Sequence, residues 1–227
     1  MNEDIVSISQ TMARSSPYIL YAALFLGLLF FRRLNLLTKS ILVYVLLLLV
    51  THYLQKVFFY FVGNTLMVLH IYCIGELAFM IYFYKKFMFK KKQLLLTILG
   101  IAGLLYILAE MLLVFVFKGL VIKEFQPYAK VVDNFVIVLM TLAYLHEKMS
   151  RYGESAWGSF RLNMVFLVFF TLNTILFLPF NFMVNAAGNV KFYFWTGHII
   201  LLILFYLYLA FEIWANGRRT TPRSAVK

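Results

Sequence analysis

The run NTLMVLHIYCIGELAFMIYFYKK carries Asn64, His70, Tyr72 and Glu76 in a stretch that is otherwise apolar. Each of the last three side chains can do chemistry. A carboxyl group inside an apolar helix is either protonated or held by a partner, because burying its charge alone is expensive. Histidine can move a proton or ligate a metal, and a tyrosine hydroxyl can hold a carboxylate by donating to it. At about 100° per residue Tyr72 and Glu76 fall on one helix face, whereas His70 lies about 120° away from Glu76. His70 and Glu76 therefore cannot aim at one point from a straight helix. Other polar groups sit in other apolar runs: Glu110, Asp133 with Asn134, Asn163, Thr171, Asn173 and Thr174, His198 and Glu212.

These residues must be positioned by membrane-spanning helices. The chain is 63% hydrophobic and 13% charged over 227 residues, with mean hydropathy +0.87. A water-soluble fold of that composition would expose large apolar patches. Intrinsic disorder and a nucleic-acid module are excluded by the same balance. Crossing a hydrocarbon layer about 30 Å thick takes roughly 20 helical residues. That ruler predicts seven spans, at 17–31, 36–54, 65–84, 93–117, 128–145, 162–183 and 192–214. The first is expected to start through Ser15 and Ser16 as caps, with Pro17 in its first turn. It reads as a retained span rather than a signal peptide, because Glu3 and Asp4 precede it and Arg32 and Arg33 follow it. The glycines Gly100 and Gly103 suit a tilt or a kink in the fourth span.

The expected fold class is thus an all-α membrane protein, a single seven-helix transmembrane domain over 1–214. Residues 1–16 form a short outer segment and 215–227 a basic, disordered cytoplasmic tail. Lysine and arginine set the orientation. Fifteen fall after spans one, three and five and in the tail, against six on the other side: Arg14, Lys56, Lys118, Lys123, Lys130 and Lys191. The N-terminus is expected outside and the C-terminus in the cytoplasm, in a cell inner (cytoplasmic) membrane crossed many times. The net charge of +12 then has the lipid bilayer and anionic headgroups as its partners, above all at KKFMFKKK. Glu212, two residues before Trp214, reads as a headgroup-level residue. Cys73 is the only cysteine, so no internal disulfide framework exists.

In this orientation His70, Asp133 and His198 lie in the outer half of the bundle, with Glu76 near mid-depth. A ligand site open to the outside is expected, built from Glu76, His70, Tyr72, Asp133, Asn173 and His198, with Glu76 as its floor. The alternative is that these groups are interhelical hydrogen bonds worth about 0.6 kcal/mol each. No catalytic residue, cofactor or resident metal is assigned. Span seven has no lysine for a retinal Schiff base, and neither an HExxH nor a GxSxG motif occurs. A hydrolase using His70, His198, Glu76 and Asp133 around a metal, in the manner of ceramidase-like membrane enzymes, stands third. A small-solute transporter stands second, since internal repeats and Gly/Pro-broken helix pairs are missing. A sensor or receptor-like protein signalling through a cytoplasmic or membrane partner stands first.

Asn64, His70, Tyr72 and Glu76, together with Trp195 and His198 of FWTGHIILLILFYLYLAFEIW, resemble the motifs of a family of small seven-span membrane proteins of Bacteroidota. Two spans carry that likeness. Asp133 stands where the family has a glutamate, and the Phe-Trp entry to span six is missing. The resemblance implies a fold and a bacterial inner-membrane origin rather than an activity.

Overall fold

The computed structural model describes residues 2–91, 93–117, 128–150, 157–183 and 190–218. They form seven helices: α1 Asn2–Leu29, α2 Leu36–Val62, α3 Leu66–Phe83, α4 Leu94–Phe115, α5 Ala129–Met149, α6 Trp157–Met183 and α7 Val190–Arg218. A π-helical turn, Tyr84–Met88, prolongs α3. No strand occurs among the described residues. All seven helices are long and apolar enough to cross a membrane. Helices suit that solvent because their backbone groups are satisfied internally, which hydrocarbon demands. Large apolar side chains such as Phe25, Phe59, Tyr60, Phe61 and Leu105 project outward, where lipid receives them without cost. The chain is a multi-pass membrane protein.

The helix ends differ from the apolar runs, each for a local reason. α1 begins at Asn2 rather than at Pro17. Ser15 and Ser16 are not caps: their hydroxyls donate backwards to the carbonyls of Met12 and Ala13, each at 3.0 Å. The second bond compensates for Pro17, whose missing N–H would otherwise leave the Ala13 carbonyl without its donor. α2 runs past the expected stop at 54 to Val62, and Gly63, at φ 70°, ends it in the left-handed region. Its 27 residues reach roughly 40 Å, more than a bilayer core requires. Asn35 caps the start of α2 by accepting from the Thr38 amide at 2.7 Å, and Asn64 accepts from the Leu66 amide at 2.9 Å where α3 begins.

The third span does not stop at Lys85-Lys86. Its ladder widens, Phe89 N donating to Tyr84 O at 2.9 Å, and both lysines lie within the π turn. α7 continues to Arg218, so the first residues of the expected disordered tail are helical. Asn216 donates to both the carbonyl and the carboxylate of Glu212, and the Arg218 guanidinium lies 4.5 Å from the Trp214 ring centroid. Glu212 is buried against its neighbours. Of the tail, residues 219–227 lie outside the described residues, as do Lys92, Lys118, Lys123 and Arg151 of the charge count.

The chain divides into two compact units. One, Met1–His52 with Leu202–Lys227, contains α1, most of α2 and the second half of α7. Leu20, Ala23, Ile41, Tyr44, Val45, Leu209 and Ile213 are buried in it, and Tyr44 meets Phe205 edge-on at 6.2 Å. The other, Tyr53–Leu201, contains α3 to α6 and the first part of α7. Here Cys73, Leu77, Met80, Ile107, Ile137, Met140 and Phe170 are buried. α4 is continuous through Gly100 and Gly103, and both glycines serve close packing. A Cβ on Gly103 would stand 3.2 Å from Leu77 and Val136, and one on Gly100 would meet Ile81.

A buried charge cluster between α3 and α5

Tyr72 and Glu76 lie one turn apart on α3, and the Tyr72 hydroxyl donates to Glu76 Oε1 at 2.5 Å. The other oxygen, Oε2, accepts from the ammonium of Lys130, in the first turn of α5. Lys130 also donates to Asp133 Oδ2 at 2.7 Å, three residues along its own helix. Its Nζ stands 4.7 Å from the centroid of the Tyr72 ring and 5.9 Å from that of Phe170 on α6. All three charged residues are withdrawn from the surface: Glu76 and Asp133 are 0% exposed and Lys130 3%. A lysine held between two carboxylates against aromatic faces is thus built into the interior of α3, α5 and α6.

Lys130 is a correction to the sequence reading, which counted it among the outer loop charges. The reason is the start of α5. Tyr128, at the N-cap, makes no side-chain capping bond. Instead Glu110 of α4 reaches across, its Oε1 accepting from the Tyr128 amide at 2.7 Å. A carboxylate at a helix N-terminus is favoured by the dipole. It also offsets the adverse placing of a cation in the first turn. With the helix opening at this point, Lys130 lies one turn from Asp133 and Asn134 on the inward face. The spacing Lys130, Asp133, Asn134 is a helical stripe, and that was the legible signal.

Of the six expected site residues, the structure brings Tyr72, Glu76 and Asp133 together. Asn173 lies beside them through Asn134, which accepts from Asn173 Nδ2 at 3.4 Å. Neither histidine is hydrogen-bonded to the cluster. His70 Nδ1 donates to the Leu66 carbonyl at 2.9 Å and its ring meets Phe115 edge-on at 5.6 Å. His198 packs perpendicular to Phe177 at 5.1 Å. Among the described residues no three His, Cys, Asp or Glu side chains are grouped to hold a metal ion. His70, His198, Glu76 and Asp133 therefore do not assemble the ligand set of the hydrolase alternative.

Comparison with protein-family models, with curated proteins and with solved structures finds no match to this chain. The cluster has to be read from its own chemistry.

That chemistry is marked by incomplete satisfaction. Asp133 Oδ1, Asn134 Nδ2 and Asn173 Oδ1 are buried without a hydrogen-bond partner. Exchanging O and N in both amides would still leave one acceptor and one donor over, and exchanging them in one alone would break the bond. Each such atom costs about 1–3 kcal/mol, and buried polar groups in folded proteins usually find protein or water. Here three gather on adjacent residues of α5 and on the α6 residue facing them. Buried ion pairs are also poor stabilisers, since well-packed apolar residues in their place are often neutral or better.

At the other end of the same three helices the polar groups are completed. Tyr84, the first residue of the π turn, donates to Asn163 Oδ1 at 2.8 Å, and Asn163 Nδ2 donates to the Thr141 carbonyl at 3.1 Å. Tyr144 donates to Ser159 Oγ at 3.0 Å. Glu147 accepts from the Lys90 amide at 3.1 Å and from Gln93 Nε2 at 3.4 Å. None of these contacts was read from the sequence beyond the position of Asn163.

Proposed function

We propose that the chain is a receptor-like sensor of a bacterial cytoplasmic membrane, from a seven-span family of the Bacteroidota type, with its N-terminus outside and its C-terminus in the cytoplasm. A small ligand enters from the outer side and acts on the Tyr72–Glu76–Lys130–Asp133 cluster. The observation that carries this reading is the lysine buried between two carboxylates. Such a group is a costly way to hold helices together, and ionisable residues within spans mark functional paths by default. The ligand is a cation or a hydrogen-bond donor, because the cluster holds one more carboxylate than ammonium and Asp133 Oδ1 is an open acceptor. Withdrawing Lys130 from the outer loops sharpens the positive bias toward the cytoplasmic side. The exposed Lys85, Lys86, Lys90 and Lys91 suit anionic headgroups and an acidic signalling partner there.

A small-solute transporter is the second reading, favoured by the excess of carboxylate in the cluster, which suits coupling to a cation. Flux decides between them. Liposomes containing only this chain, loaded with a pH dye and given a gradient, should hold their pH and exclude amines. Protein-dependent flux would move the assignment to transport. Orientation is checked by labelling Ser7→Cys and Ser224→Cys from each side, since the native Cys73 is buried. Labelling of both from one side would refute it.

A further inference from the structure

The Glu76 and Asp133 carboxyl groups both accept from the one Lys130 ammonium, through Oε2 and Oδ2, which sets them side by side. Two ionised carboxylates repel at that range and have no hydrogen to share. One ammonium also neutralises only one of them. Among the described residues the groups around the pair supply no second lysine or arginine. α3 presents Tyr72 and Cys73, α4 presents Glu110, α7 presents His198, and α6 presents Phe170 and Asn173, neither of which titrates. The unpartnered Asp133 Oδ1, in a residue 0% exposed, is an independent sign that something is to be bound there.

We propose that the ligand of this site is the proton: Glu76 and Asp133 together bind one exchangeable proton opposite Lys130. This rests on the reading of the cluster as the responsive site. The step is simple. A proton from water adds to one carboxylate oxygen, forming a single O–H bond. The Glu76–Lys130–Asp133 trio passes from net −1 to neutral, with Lys130 charged throughout. In the protonated form the new O–H can bridge the two carboxyls or serve Asp133 Oδ1. In the deprotonated form Lys130 alone must hold two repelling carboxylates, one on α3 and one on α5. Proton loss therefore loosens the junction of these helices, and proton gain draws it together. The outer acidity is then the signal, with no other solute needed.

Infrared difference spectroscopy of the full chain in lipid nanodiscs, between alkaline and mildly acidic buffer, reads this directly. Acidification should produce a protonated-carboxyl band equivalent to one proton per chain, shifted in heavy water. Glu76→Gln and Asp133→Asn should each abolish it, whereas Glu110→Gln should keep it. No band, a band retained in both single variants, or one lost only with Glu110→Gln overturns the proposal. Should the first two variants fail to fold, Tyr72→Phe, which removes the hydroxyl donating to Glu76 Oε1, must shift the parent's band; an unmoved band refutes the assignment. Proton flux through liposomes would unseat the receptor reading and leave proton binding intact, whereas a silent band does the reverse.

Discussion

Two polar layers cross α3, α5 and α6 in the same unit, and they are built on opposite terms. Near the start of α5, Glu76, Lys130 and Asp133 bring formal charges inward, and the adjoining Asn134–Asn173 pair is joined by one long bond. Near the π turn, Tyr84, Asn163 and the Thr141 carbonyl are neutral, and both polar atoms of the Asn163 side chain are bonded. A neutral, completed network adds a modest net stabilisation and fixes how helices meet. A charged, incomplete one adds little stability. Burial alone does not separate the two, since Glu76 and Asn163 are equally hidden. Charge balance and unpartnered atoms do.

The largest expected effect comes from breaking the charge balance. Lys130→Met leaves two carboxylates buried beside each other with no cation, and a broken buried pair costs about 3–5 kcal/mol. Unfolding of the reconstituted protein by steric trapping should report a loss of that order. Combining Lys130→Met with Glu76→Gln and Asp133→Asn should restore most of it. A triple variant as unstable as the single one would mean that the cluster is adhesive, and the contrast between the layers would collapse.

Losing the cap that sets Lys130 in place comes next. Glu110→Ala removes the carboxylate holding the Tyr128 amide, and loss of a helix N-cap typically costs about 0.5–2 kcal/mol. The damage should be local. Hydrogen exchange should rise in the first turn of α5 and stay unchanged at Tyr144 and beyond. Equal loosening along the whole of α5 would show that the cap does not act at the helix start.

How much of this was legible depends on whether the cause is local. Seven spans follow from apolar runs, because each helix meets the bilayer requirement by itself. Tyr72 and Glu76 share a face by rotation alone, and the same rotation keeps His70 away from Glu76. Lys130 was hidden. The expected fifth span, 128–145, already contained it, yet it was counted with the outer loop charges, and what turns it inward is Glu110 on α4 and Glu76 on α3, both far away in sequence. The start of α1 failed for a related reason: hydropathy registers the apolar part of a helix, while Ser15 and Ser16 carry the helix through Pro17 by bonds to its own backbone. His198 shared the expected depth with Asp133, but depth does not fix rotation, and its ring packs on Phe177.

The smallest effect, that of a near-neutral double variant, gives the sharpest test, because it sets asparagine against asparagine. Asn163→Leu strands the buried Tyr84 hydroxyl, and an orphaned buried donor costs about 1–3 kcal/mol. The double variant Asn134→Leu with Asn173→Leu removes a long bond and two unpartnered atoms at once. Replacing both members of such a pair by apolar groups is nearly neutral, so its stability should stay within about 0.5 kcal/mol of the parent. Both are read by the same steric-trapping assay. The double variant should nevertheless change the acid-induced carboxyl band, since it alters the surroundings of Asp133 while leaving both carboxylates present. A stability loss matching that of Asn163→Leu would make the two layers alike in kind. A near-neutral double variant with a displaced band would keep them apart, the Tyr84 layer holding helices and the Lys130 layer holding a proton.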